Sequence, residues 1–144
     1  MNFKNTTYII MGGTTGMGLA AAISLKENGA NVIVIGRNPE SCKKAEEILG
    51  KGSIAYSGDA TDPQTMKTAI KMAHDKFGNI SGLFHVAGGS GRQWGDGPLD
   101  KITLEGWNKT MELNLTSMML SNQAMVNYFL EHKNEGVILN MGSV

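Results

Sequence analysis

Residues Thr7–Gly18 read TYIIM-GGTTGMG, an apolar run that breaks into closely spaced glycines. Thr7–Met11 is short, apolar and bounded by glycine, which reads as a buried strand. A helical pattern opens at Gly16, so the glycines form a strand-to-helix turn. Their spacing is G-x-x-x-G-x-G rather than the G-x-G-x-x-G of the common dinucleotide fingerprint, but the physics is shared. Gly12 permits the sharp turn, Gly16 lets the backbone approach a pyrophosphate, and Gly18 allows the helix to pack closely on the strand. The helix N-terminus, with Met17 in its first turn, favours the phosphate charge through free N–H groups and the helix dipole. Thr14 and Thr15 add hydroxyl donors. A glycine turn without a ligand has the same composition; the strand–turn–helix context selects the phosphate reading.

Outward from this turn the chain alternates. Strands are predicted at Asn31–Ile35, Ser53–Ser57, Ile80–Ala87 and Gly136–Met141, and helices at Gly16–Asn28, Pro39–Leu49 and from Pro63 to about Phe77. Asp62-Pro63 reads as an N-cap followed by proline in the first turn. A long helix runs from Thr103 to about His132, with Trp107, Met111, Leu115 and Met118 or Met119 as its expected buried stripe. Near-continuous apolar strands separated by amphipathic helices predict an α/β fold, a doubly wound parallel sheet of order 3-2-1-4-5. Its ligand belongs at the C-terminal ends of the strands. Residues 1–144 read as one dinucleotide-binding domain, and a stop directly after a fifth strand suggests that further strands are missing.

The 144 residues carry 13 Lys+Arg against 13 Asp+Glu, which excludes a strongly basic nucleic-acid binder. No window approaches the ~20 apolar residues of a membrane helix. The one cysteine, Cys42, excludes an internal disulfide, and with no signal peptide a reducing cytoplasm is expected. No metal site is expected. His85 reads as a hydrogen-bonded strand residue, and His74 and His132 as helix-surface residues.

The glycine turn resembles the T-G-x-x-x-G-x-G signature of the short-chain dehydrogenase/reductase family, with Met11 in place of threonine. The resemblance runs from Met11 to Val144 and implies a Rossmann-type fold and hydride transfer with a nicotinamide cofactor. In that family an acid after the second strand binds the adenosine ribose and selects NAD. Here Gly36 and Arg37 stand there, which points to NADP, with Arg37 as a fork for the 2′-phosphate. Asp59 and Ala60 match the adenine contact, and Ala87 and Gly88 match backbone lying close to the adenosine ribose. His85-Val86 stands where the family has Asn-Asn, and the first asparagine there braces neighbouring strands. Asn114 matches the helix asparagine of the family's proton chain, and Ser143 its catalytic serine. The Tyr-x-x-x-Lys pair that completes the chemistry does not occur; Tyr8, Tyr56 and Tyr128 stand elsewhere.

Two readings follow. One is an NADP-dependent oxidoreductase acting on a small-molecule carbonyl or secondary alcohol. The other is a truncated, non-catalytic nucleotide-binding module. The loop Ser90–Leu99, with Arg92 and Trp94, could line a substrate pocket, lie on the surface or meet a partner. The family commonly pairs subunits through the long helix, so a homodimer or homotetramer is expected through about Leu104–Glu131, where Met118, Met119, Leu120, Met125, Phe129 and Leu130 cluster.

Overall fold

The computed structural model describes residues 2–142. Five strands, β1 (Thr7–Met11), β2 (Asn31–Gly36), β3 (Ser53–Ser57), β4 (Gly82–His85) and β5 (Val137–Asn140), form one parallel sheet of order β3-β2-β1-β4-β5. Helices α1 (Gly16–Glu27), α2 (Pro39–Leu49), α3 (Pro63–Phe77), α4 (Leu104–Met111) and α5 (Ser117–His132) connect and flank the strands. Strand alternation divides the core between the two faces. Ile9, Met11, Ile33 and Ile35 pack with Met66, Ala69, Ala73, Met125 and Tyr128 of α3 and α5. Ile10, Val32 and Val34 pack with Ala22, Ala45 and Leu49 of α1 and α2. Each fully buried aliphatic side chain contributes about 1.5–3 kcal/mol.

β4 is shorter than the predicted Ile80–Ala87, because beyond His85 the chain leaves the ladder. Val86 N and Ala87 N both donate to Met11 O, at 2.8 and 2.9 Å, and close a turn over the end of β1. The long helix is interrupted: residues Glu112–Thr116 form a π turn between α4 and α5.

The buried stripe is a correction. Trp107, Met111, Leu115 and Met119 are exposed, Trp107 by 50%. The inward face is made instead of Gly106, Ser117, Ser121, Met125 and Tyr128. Burying two serines is tolerable because both hydroxyls are bonded, Ser117 to Leu113 O and Ser121 to His85. Apolar periodicity identified a helix face but not which face the sheet covers. Met125 is likewise fully buried and so unavailable to a second subunit, while Phe129 is half-buried against the core. Among the described residues no helix is long and apolar enough to cross a membrane.

Candidate functional site

The order of the sheet reverses between β1 and β4, and a cavity of about 830 Å³ opens there, at the carboxyl ends of the strands. Gly12 begins the turn with φ +86°, and Gly12 N and Gly13 N both donate to Ile35 O of β2. A Cβ on Gly12 would lie 2.7 Å from Ala87 N. Thus the loops after β1 and β4 touch only because residue 12 lacks a side chain. Gly18 does not line the cavity; it is buried in α1 with its Cα against the carbonyl of Gly12.

α1 is capped differently from its neighbours. Asn38 caps α2 by accepting from Glu40 N and Ser41 N, Asp62 caps α3 by accepting from Gln64 N, and Thr103 caps α4 by accepting from Gly106 N. Thr15 stands at the N-cap of α1 without a side-chain cap bond, and the first turn holds no acid. The free N–H groups and positive dipole end of α1 therefore face the cavity, whose wall includes Thr14, Thr15, Gly16 and Met17.

Opposite this turn, Arg37, Asp59, Ala60, Ala87 and Gly88 complete the lining expected from sequence. Arg37 is exposed on the rim. Asp59 is held below the usual carboxylate range, first by the Thr61 N–H (2.9 Å) and then, against partial burial, by the Thr61 hydroxyl (2.8 Å) and the charges of Arg37 and Lys109. Both Thr61 bonds fall on Oδ1, so Oδ2 is left to accept from a ligand. The space that Gly36 leaves is filled by the Thr14 side chain, which is why Thr14 is buried. The sequence reading missed Asn38, Thr61 and Leu113 of the wall. The Asn38-Pro39 cap signature could have located the first, since a helix starting after β2 must start at this edge.

Asn114 lies in the π turn and not in the cavity wall. Its Oδ1 accepts from Gly89 N at 3.1 Å, and its Nδ2 donates to Gly89 O at 2.7 Å and Thr110 O at 2.8 Å. It clamps the loop that follows β4. Ser143 lies outside the described residues. None of Tyr8, Tyr56 and Tyr128 lines the cavity. The Tyr128 hydroxyl sits between Ile80 N and His74 Nδ1, so His74 is half-buried rather than a surface residue, while His132 is exposed and stacks on the Tyr128 ring. The loop Ser90–Leu99 folds back onto α4: Thr110 donates to Asp96, Thr103 donates to Trp94 O, and Lys109 lies over the Trp94 ring. Among the described residues no group of three or more His, Cys, Asp or Glu could hold a metal ion.

A family model described as short chain dehydrogenase matches residues 6–144. A probable 2,4-dienoyl-CoA reductase of Bacillus subtilis is 32% identical over 138 residues, which cover 94% of this chain and 53% of that protein. A 3-oxoacyl-acyl-carrier-protein reductase of Vibrio cholerae is 29% identical over 144 residues, 57% of its length. The crystal structure of a short chain dehydrogenase from Bacillus anthracis superposes with a TM-score of 0.89 at 26% identity, over 99% of this chain and 57% of that one. The chain therefore spans just over half the length of these relatives. A match across nearly its whole length, on a sheet with the same course, makes this chain a member of the short-chain dehydrogenases.

Proposed function

We propose that the protein is an NADP(H)-dependent oxidoreductase that interconverts a small-molecule carbonyl and a secondary alcohol, with residues 1–144 as its cofactor-binding part. The observation that carries this reading is the uncapped N-terminus of α1 opening on the 830 Å³ cavity. That cavity is of the size small-molecule and cofactor sites have. The residues present fit a dinucleotide. The first-turn amides of α1 and the Thr15 hydroxyl would hold the diphosphate, Asp59 Oδ2 the adenine amino group, and the Ala87–Gly88 backbone the adenosine ribose. Arg37, with no acid at residue 36, would meet a 2′-phosphate as a charge-assisted fork. A bound nicotinamide supplies the hydride. Asn114 spends its amide on Gly89 and Thr110, and so orders the loop beside the reacting end; one Oδ1 lone pair remains for a water. Ser143 would hydrogen-bond the substrate oxygen. A cytoplasmic setting belongs to the same proposal, since Cys42 is buried and unpaired.

The test is titration of the intact protein with NADPH and NADH, followed by cofactor oxidation against ketones and 3-oxoacyl thioesters. Arg37→Ala should cost NADPH binding about 1.5–3 kcal/mol, the scale of hydrogen bonds to a charged group, and leave NADH binding nearly unchanged. Equal losses for both nucleotides would remove the NADP assignment. Absence of turnover on every substrate would favour the nucleotide-binding module.

A further inference from the structure

We infer that His85 is a positioning residue for the nucleotide site, tying the Ala87–Gly88 floor of the cavity to α5 through its imidazole; this rests on the nucleotide reading above. His85 ends β4 and is 2% exposed. Its Nε2 lies 3.0 Å from Ala87 O, a group that can only accept, so Nε2 carries the proton. In the neutral ring Nδ1 then accepts, and Ser121 Oγ donates to it at 2.7 Å. Burial keeps the ring neutral by pushing its pKa below the usual 6.5. The result is a directed chain: Ser121 hydroxyl to His85 Nδ1, and His85 Nε2 to the Ala87 carbonyl.

A second branch reaches the same floor from the other side. Ser117 Oγ lies 3.4 Å from Nε2 and donates to Leu113 O at 2.7 Å. Leu113 lines the cavity and precedes Asn114, which clamps Gly89. One buried ring therefore ends on two backbone carbonyls, Ala87 and Leu113, that both belong to cavity-lining residues. On the β1 side Ala87 is already fixed, because its amide donates to Met11 O at 2.9 Å. Movement the other way is opposed by the His85 bond. A histidine serving the sheet alone would have no reason to end on both.

The experiment uses the intact protein, with thermal melts to establish folding and calorimetric titration with NADPH below the melting range. His85→Phe keeps a ring and removes both bonds; NADPH affinity should fall about tenfold or more, the scale of a buried group left unpaired. His85→Gln places an amide donor near the Ala87 carbonyl and should recover most of that loss. Ser121→Ala touches nothing in the cavity, so a several-fold loss in that variant reports action through His85 and stands even if the phenylalanine variant does not fold. Wild-type affinity in folded His85→Phe, no recovery in His85→Gln, or unchanged affinity in Ser121→Ala would each overturn the inference while leaving nucleotide binding intact. A wild-type protein that binds neither NADPH nor NADH would overturn the nucleotide reading itself, and this inference with it.

Discussion

At the scale of single residues, His85 makes the protein's stability depend on pH. Its ladder neighbours are Met11 and Asn140 and its helix partners Ser117 and Ser121, so none of these carries a charge. Burial lowers its pKa in the folded chain, and the Ala87 bond offsets this only in part. The unfolded chain therefore binds more protons than the folded one between the lowered value and about 6.5. Unfolding free energy rises with pH through that window, and the contribution is lost as pH falls below about 6.5. Melting temperatures of wild type and His85→Gln across this range should show the wild-type slope and its loss in the variant. A parallel pair of curves would mean that His85 binds protons equally in the folded and unfolded states. The residues of the cavity wall were legible in the sequence where they follow directly on a strand, as Arg37, Asp59, Ala87 and Gly88 do, because parallel strands deliver their ends to one edge. Thr14 filling the space over Gly36 was not legible, since it depends on how the β1 turn leans over β2.

At the scale of elements, the first strand, turn and helix work as one rigid unit because residue 18 has no side chain. A Cβ there would sit within 2.9 Å of Gly13 Cα and overlap the Gly12 carbonyl. Gly18→Ala must push α1 off the turn or distort the turn, costing about 1–3 kcal/mol by overpacking. It should also weaken nucleotide binding, because the α1 amides and Gly12 shift together. Gly97→Ala is the control: a Cβ there meets open space, so stability should change by no more than about 0.5 kcal/mol. Equal melting temperatures for the two variants would show that the helix adjusts without cost. Two elements bounded by a cap or glycine, Pro39–Leu49 and Ser53–Ser57, were read to the residue, while α1 ends one residue before the expected Asn28 and β2 runs one residue past the expected Ile35. The π turn inside the long helix has no such punctuation, and its bonds to Gly89 come from a loop 25 residues away.

At the scale of the molecule, the face that periodicity assigned to the core remains uncovered. Trp107, Met111, Leu115 and Met119 recur every four residues along α4 and α5 and stand exposed, with Val126 and Leu130 beyond them. Exposed apolar residues recurring along one face in this way mark an interaction surface. We propose that it pairs with a second copy of the chain across a two-fold axis, where the same stripe meets itself. Met119 does not line the nucleotide cavity, so a charge there tests assembly separately from cofactor binding. Sedimentation of the intact wild type at micromolar concentration should show a dimer or tetramer, and Met119→Glu should shift it toward monomer with NADPH affinity unchanged. An assembly that Met119→Glu leaves intact would show that subunits do not join through this stripe. A wild-type monomer at that concentration would remove self-association through this surface, and the helix stripe would then have to be covered from within its own chain.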